Sequence, residues 1–157
     1  ITCRDWSSDV CSSDLVGQVH PDVPELVIGD GKFLIRILSL LGGNAIKFTE
    51  QGGVRFSLGL HSLEKDAVWL NLTVSDTGCG IPEEHQARLF RMLSQADGSM
   101  TRKFGGLGLG LTLVKRMVDL MGGRILVESA PERGTSFRLF LPFGIMSGDW
   151  GEAEGAL

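Results

Sequence analysis

The sequence lacks the features that mark several classes of protein. No apolar run among its 157 residues reaches the roughly 18 residues that a membrane-spanning helix requires. The formal net charge is −4, so no basic excess is available to hold nucleic acid or an anionic membrane surface. We therefore expect a domain with no nucleic-acid partner and no direct membrane contact.

Cysteine is also scarce. The three cysteines, Cys3, Cys11 and Cys79, form neither an even disulfide framework nor a CxxC metal pattern. The N-terminus has no basic start followed by an apolar segment, which argues against a secretory signal. A reducing, cytoplasmic location is the expectation, and a membrane anchor elsewhere in a parent protein stays open.

Glycine, by contrast, is abundant, with 22 residues. The stretch 94–111, SQADGSMTRKFGGLGLGL, contains Gly105, Gly106, Gly108 and Gly110 and runs directly into a helical pattern. Glycine lets the backbone turn tightly and approach a ligand, and the free N–H groups at a helix N-terminus attract phosphate. The stretch predicts a phosphate-binding loop, although such loops are common among proteins.

Two familiar nucleotide-binding patterns are missing. No GxxxxGK[ST] sequence is present, which argues against a Walker-type ATPase. The glycine-rich loop does not directly follow a strand pattern, which argues against a dinucleotide-binding Rossmann unit.

The first residues differ in character from the rest. Residues 1–15 contain a tandem echo, SSDV followed by SSDL, without helical or strand period. The phrase resembles the conceptual translation of a sequencing adaptor, so we expect a non-native leader; the alternative is a disordered Ser/Asp-rich leader. The folded domain is then expected over residues 16–143, with residues 144–157 as a tail or linker.

Apolar spacing predicts alternating helices and strands. Helical patterns cover residues 32–48, 83–90 and 109–121. Strand patterns cover residues 25–28, 54–60, 67–75, 124–129 and 135–141, of which the second and third are expected to be antiparallel neighbours. Gly42 and Gly43 each cost up to about 1 kcal/mol inside the first helix, which suggests close packing or a ligand there.

Polar side chains at two places are candidates for binding. Asp76 ends a predicted strand and is followed by Gly78 and Gly80, so its carboxylate would lie beside bare backbone and suit a flat polar ring. A simple Asx turn is the alternative. Asn44 and Lys47 project from neighbouring turns of the first helix, although a solvent-facing amide would explain Asn44 equally well.

Five motifs occur in a fixed order along the chain. They are NAIKF at 44–48, Asp76-x-Gly78-x-Gly80, the segment at Phe90, Gly106-x-Gly108-x-Gly110, and Gly134-Thr135. The series resembles the N, G1, F, G2 and G3 boxes of the sensor histidine kinase catalytic and ATP-binding domain, in the superfamily shared with gyrase, heat-shock chaperone and mismatch-repair ATPases. The likeness covers roughly residues 16–143. SQADGSMTRKFGGLGLGL and MVDLMGGRILVES are especially similar to hybrid-type two-component kinases.

The resemblance implies a fold and a set of ligands. The fold is a two-layer α/β sandwich of the Bergerat type, with a mixed, mostly antiparallel sheet and helices on one face. The ligands are ATP and Mg²⁺: Asn44 would bind the metal, Lys47 the phosphates, and Asp76 the adenine amine, supported through a water by Thr135. Residues 94–105 would form a lid. The other implied ATP contacts are Gly78, Gly80, Ile81, Arg102, Lys103, Gly106, Leu107, Gly108, Leu109 and Gly110.

Several positions depart from the family pattern. Leu40 lies where hydrolytic relatives carry a glutamate base, which disfavours an autonomous ATPase because leucine cannot polarise water. The F box reads Phe90-Arg91-Met92-Leu93, without a second phenylalanine, and Leu107 replaces a threonine or serine. These departures bear on lid closure and turnover more than on nucleotide binding.

The phosphoacceptor histidine is missing from the chain. His20, His61 and His85 have none of the His-acid-x-x-Thr/Asn-Pro setting of the family and are expected at the surface. The resemblance therefore implies a protein-histidine kinase domain that phosphorylates a separate dimerisation hairpin, with a response regulator downstream, and does not autophosphorylate alone. The alternative is a pseudokinase or interaction module that keeps the fold and nucleotide binding; a hydrolytic ATPase ranks third.

Overall fold

A five-stranded sheet carries the fold. The computed structural model describes residues 12–86, 89 and 107–145. The strands are β1 (Ser12–Val19), β2 (Gln51–Leu63), β3 (Ala67–Asp76), β4 (Arg124–Ser129) and β5 (Thr135–Gly144). The long helices are α1 (Gly31–Phe48) and α2 (Leu107–Leu120), and residues 83–86 form a further helical turn after Pro82.

The strand order is β1-β2-β3-β5-β4. β1 pairs parallel with β2, and the other neighbouring pairs are antiparallel. Because parallel neighbours need a crossover, α1 connects β1 to β2, whereas short turns join β2 to β3 and β4 to β5. The predicted mixed, mostly antiparallel sheet is confirmed, as is the predicted antiparallel pairing of its second and third strand segments.

The ends of α1 are fixed by side-chain hydrogen bonds. The Asp30 carboxylate accepts the backbone N–H groups of Lys32 at 2.9 Å and Phe33 at 3.1 Å, which is the N-cap interaction. At the other end, the buried Thr49 hydroxyl donates to the carbonyl of Ala45 at 2.7 Å. The sequence therefore sets both ends of the helix that carries Asn44 and Lys47.

The core lies between the helices and one face of the sheet. Alternate residues of β3 and β5 point inward, and the apolar stripes of α1 and α2 cover them. This arrangement places α1 and α2 side by side on the sheet. The buried residues of the core are Ile37, Leu41, Ala45, Val54, Val68, Leu70, Leu72, Val74, Leu111, Val114, Met117, Val118, Ile125, Phe137, Leu139, Leu141 and Phe143.

The predicted strand over residues 25–28 is wrong. In the structure only Ile28 pairs, through reciprocal 2.8 Å backbone hydrogen bonds with Gly144 at the end of β5. Pro21 and Pro24 supply no N–H group to a ladder, and the apolar run between them and Gly29 is short. A single bridge results.

The expectation that residues 1–15 carry no strand is wrong for its last four residues. Residues 12–15 belong to β1 and pair with residues 51–54 of β2, so the strand crosses the predicted domain boundary. The edge of β2 offers backbone groups that an extended segment can pair with whatever its apolar period. Leu15 and Val16 each stay 47% exposed. The assignment of residues 1–15 as a non-native leader stays a prediction.

Other boundaries shift by a few residues. α2 begins at Leu107 instead of 109, and β5 continues to Gly144. The predicted stop of α2 at Gly122 is confirmed, because Gly122 adopts a positive φ of 74° that suits a helix C-terminus. The F-box residues 90–93, the lid assigned to 94–105 and the tail beyond 145 lie outside the described residues.

The two glycines inside α1 make a matched pair. A Cβ at Gly42 would lie 2.7 Å from Cζ of Phe56, whereas a Cβ at Gly43 would meet nothing within 4 Å. We expect Gly43→Ala to raise the free energy of unfolding by about 0.5–1 kcal/mol, since alanine favours helix. Gly42→Ala should lower it, because the Phe56 ring must move. Urea unfolding measures both; equal stabilisation by the two variants would refute close packing at Gly42.

Candidate functional site

Asp76 ends β3 beside the start of β5. Its Oδ1 accepts the N–H of Gly78 at 2.9 Å and the N–H of Thr135 at 3.2 Å. The second oxygen, Oδ2, takes part in neither bond. Among the described residues, every side-chain oxygen or nitrogen that is buried has a hydrogen-bond partner. Because none of the hydrogen bonds of Asp76 involves Oδ2, this oxygen is accessible to solvent. The carboxylate is thus held by the backbone on one oxygen while the other can accept a ligand donor.

Burial sets the electrostatics of this carboxyl. Desolvation raises the pKa of Asp76 above its usual 3.8, and the backbone hydrogen bonds from Gly78 and Thr135 offset part of the rise. A partly desolvated carboxylate gains more from one further N–H donor than a fully hydrated one does. Asp76 is therefore suited to accept a hydrogen bond from a bound molecule.

Glycine is required around Asp76 because backbone segments meet there directly. A Cβ at Gly78 would overlap the carbonyl oxygen of Phe48, and a Cβ at Gly80 would overlap that of Ala130. Gly134 has a φ of 77° and a Cβ there would overlap the Asp76 carbonyl oxygen. The family resemblance explained Gly78 and Gly80 by the approach of a base, whereas contacts within the protein already account for both.

Ser129 and Gln86 join this loop and were not among the predicted site residues. The Ser129 hydroxyl accepts the N–H of Ile81 at 2.8 Å and contacts Thr135 Oγ1 at 3.0 Å. The Gln86 amide donates to the carbonyl of Ile81 at 2.6 Å and to that of Ser129 at 2.8 Å. The bonds that Ser129 receives from Ile81 and from Gln86 join residues 48 and 43 apart in sequence, so no local pattern could reveal them.

Asn44 and Leu40 face the start of α2. They lie one turn apart on α1, and a Cβ at Gly110 would be 3.7 Å from Leu40 Cδ2 and 3.9 Å from Asn44 Nδ2. The structure thus brings the asparagine motif against the end of the glycine-rich stretch. These are ordinary contact distances, so packing alone does not require glycine at position 110.

The first turn of α2 carries backbone donors that have no partner within the helix. Leu107, Gly108, Leu109 and Gly110 all have helical backbone, and the first N–H groups of a helix have no partner within it. This end of α2 can hold an anion. Arg102, Lys103 and Gly106 lie outside the described residues.

The end of α1 connects the two halves of the site. The Phe48 carbonyl accepts the N–H of Cys79 at 3.3 Å, one turn after Asn44. The exposed Lys47 places its ammonium 5.2 Å from the centroid of the Phe48 ring. Asn44, Lys47 and the Asp76 loop are therefore attached to one short piece of helix.

Two cavities bear on the position of the site. A cleft of about 410 Å³ borders Asp76, Ser129 and Thr135, but Asn44 does not line it. A larger cavity of about 520 Å³ lies between residues 19–27 and the sheet, and its walls are mainly apolar. We place the functional site at the smaller cleft because it alone contains the half-buried carboxylate.

The histidines and the possible metal ligands were compared over the part of the chain that the structure describes. His20, His61 and His85 are exposed, which confirms the expectation of surface histidines. Among the described residues, no group of three or more His, Cys, Asp and Glu could hold a metal ion.

Comparisons with known proteins identify the family of the chain. The family model described as histidine kinase-, DNA gyrase B-, and HSP90-like ATPase matches residues 29–145. Signal transduction histidine-protein kinase BarA of Escherichia coli is 44% identical over 137 residues, covering 87% of this chain and 15% of BarA. Sensor histidine kinase GacS of Pseudomonas protegens is 41% identical over 128 residues, covering 82% of this chain and 14% of GacS.

A solved structure shows the same fold. The crystal structure of full-length ShkA in complex with AMPPNP superposes with a TM-score of 0.64 and 31% identity, covering 85% of this chain and 26% of ShkA. The present chain thus spans only a small part of the length of BarA, GacS and ShkA. No helix in the described ranges is long and apolar enough to cross a membrane. The chain belongs to the histidine kinase, DNA gyrase B and HSP90-like ATPase family, as the ATP-binding domain of a sensor histidine kinase.

Proposed function

We propose that this domain binds Mg²⁺-ATP and transfers the γ-phosphate to a histidine on a separate dimerisation domain of its parent kinase. The observation that carries the proposal is the Asp76 carboxylate, fixed through Oδ1 by two backbone N–H groups while Oδ2 stays accessible. Family membership favours this function over a pseudokinase or interaction module.

The purine would bind at the cleft beside β5. Asp76 Oδ2 would accept a hydrogen from the exocyclic amine of adenine, and Thr135 would assist through a bridging water. The half-buried Ile81 does not line this cleft, but it follows Asp76 on the same loop and would supply apolar wall for the ring. Gly78 and Gly80 let the loop pack closely on the end of α1 and on the β4–β5 turn, which keeps these groups near one another.

The phosphates would lie at the start of α2. The N–H groups in the first turn of α2, residues 107–110, would face them, and Lys47 would add a positive charge if it left the Phe48 ring. Asn44 suits Mg²⁺ because its amide is an oxygen ligand beside this helix end, and Mg²⁺ keeps several waters next to ATP phosphates. Bound Mg²⁺ would neutralise phosphate charge. Arg102, Lys103 and Gly106 complete the proposed contacts.

The α1 surface argues for transfer to a histidine over hydrolysis. Leu40 lies one turn from Asn44 against Gly110, so the position nearest the phosphates on that turn is apolar and cannot activate water. The exposed histidines of this chain lie away from the cleft lining. The acceptor would therefore come from the dimerisation domain, with a response regulator as the next partner, in the cytoplasm.

Removing the charge of Asp76 should abolish tight nucleotide binding. In titration calorimetry with Mg²⁺-ATP, we expect Asp76→Asn to weaken affinity by at least about tenfold, because an amide can turn a donor toward the adenine amine. Asp66→Asn, in the exposed β2–β3 turn, is the matched control and should bind as the wild type does. Equal affinity of the Asp76 variant and the wild type would contradict the assigned role.

Stability and binding should respond to pH in opposite directions. Because the folded pKa of Asp76 is raised, its contribution to stability is fully present below the ordinary pKa and is lost as pH rises through the folded pKa. Urea unfolding should thus show the wild type losing stability relative to Asp76→Asn between acid and neutral pH. ATP affinity, which needs the ionised carboxylate, should increase over the same range. If stability relative to Asp76→Asn and ATP affinity both rose, or both fell, with pH, this account would be refuted.

Phosphotransfer should require a second domain. With radiolabelled Mg²⁺-ATP, the chain alone should stay unlabelled, and an added histidine-bearing hairpin from the parent kinase should acquire an acid-labile phosphate. A hairpin with its histidine changed to glutamine is the control. Nucleotide binding without transfer to the cognate hairpin would favour an interaction module, and steady phosphate release from the chain alone would favour a hydrolytic ATPase.

A further inference from the structure

The Ser129 hydroxyl has three polar neighbours at the end of β4. They are the N–H of Ile81 at 2.8 Å, the carbonyl of Gly134 at 2.9 Å and the hydroxyl of Thr135 at 3.0 Å. Ser129 and Thr135 are directly paired in the β4–β5 ladder, so strand register sets the hydroxyl contact. Gln86 steadies this end of β4 by donating to the Ser129 carbonyl at 2.8 Å.

Hydrogen counting fixes the direction of these bonds. A serine hydroxyl has one hydrogen to donate and two lone pairs. The carbonyl of Gly134 can only accept, so it takes the hydrogen of Ser129. The N–H of Ile81 can only donate. The contact between the hydroxyls is then satisfied only if Thr135 donates its hydrogen to Ser129.

This assignment determines what Thr135 offers to a ligand. Thr135 is 7% exposed, and its hydroxyl hydrogen is committed to Ser129, so Oγ1 presents only lone pairs to the cleft. Asp76, when ionised, also only accepts. Among the polar groups that line the cleft, ionised Asp76 and Thr135 therefore present acceptors, and Thr135 cannot turn into a donor while Ser129 keeps its bonds.

We propose that Ser129 is a specificity-determining residue that makes the cleft select a 6-amino purine over a 6-oxo purine by fixing Thr135 as an acceptor. The inference rests on the proposed nucleotide-binding function. A 6-amino group gives a hydrogen to Asp76. A water that donates one hydrogen to Thr135 can donate the other to the adjacent ring nitrogen, which is a bare acceptor in adenine. In a 6-oxo purine that nitrogen carries hydrogen and the oxygen faces the carboxylate.

The test compares Mg²⁺-ATP with Mg²⁺-ITP, which differ only at these purine positions. Competition for a fluorescent ATP analogue gives both dissociation constants. We expect the wild type to prefer ATP by at least about tenfold, since a mismatched polar group in a buried site is costly. Ser129→Ala frees the Thr135 hydroxyl to donate. The dissociation constant for ITP divided by that for ATP should therefore fall several-fold, while ATP still binds. Ser129→Thr should restore the wild-type ratio.

Two further variants keep the outcome decisive. Thr135→Val removes the acceptor itself and should lower the ratio of the ITP to the ATP dissociation constant even if Ser129→Ala folds poorly. Ser57→Ala on β2 is a control that should change neither dissociation constant. An unchanged ratio in Ser129→Ala or in Thr135→Val would overturn the inference. Failure of the folded wild type to bind either nucleotide would instead overturn the proposed function, and the inference with it.

Discussion

The half-buried carboxylate of Asp76 is the group on which the rest of the site depends. Removing a charged group from water is unfavourable unless hydrogen bonds replace the lost hydration. Here the N–H groups of Gly78 and Thr135 supply two such bonds, both to Oδ1. Those bonds require the loop after β3 to lie directly on the start of β5, and that contact leaves no room for a side chain at Gly134. The position of the charged binding group thus requires glycine at position 134.

The same loop ties the purine end of the site to the phosphate end. The N–H of Cys79 bonds the carbonyl of Phe48, so the segment after Asp76 rests on the last turn of α1. One turn earlier, Asn44 lies against Gly110 of α2. Since α1 is held to the sheet by its buried stripe, the separation between carboxylate and amide is set by the core. A ligand that contacts both Asp76 and Asn44 must therefore match the distance between the end of β3 and α1, which the packed core holds fixed.

Much of the fold could be predicted from the sequence because its signals are local. The apolar stripe of α1, the alternation in β3 and the glycines after α2 each lie within a few residues, and all three are confirmed. Residues 25–28 were wrongly predicted to form a strand, because a short apolar run does not show whether a neighbouring strand is close enough to pair with it. β1, residues 12–19, was not predicted because backbone pairing at a sheet edge needs no apolar period.

The site was predictable in part for the same reason. Asp76 stands out in the sequence because an acid followed by Gly78 and Gly80 is a local signal. Ser129 does not, since it is an ordinary serine until folding brings Ile81, 48 residues away, onto its hydroxyl. The reason for Gly78 was likewise hidden, because Phe48 meets it only in the folded chain. Residues that act by orienting others have non-local partners, and single-sequence patterns do not reveal them.

A carboxylate alone is a weak means of telling purines apart. It accepts from any donor, so a 6-oxo purine shifted by one atom could still present its ring N–H to Asp76 Oδ2. Discrimination needs a second group of fixed polarity beside the first, since two acceptors at a set spacing tolerate fewer donor patterns than one. A threonine hydroxyl is a poor choice by itself because it rotates between donor and acceptor. The bond to Ser129 removes that freedom, and the β4–β5 register that places the two hydroxyls opposite each other thereby links strand pairing to ligand choice.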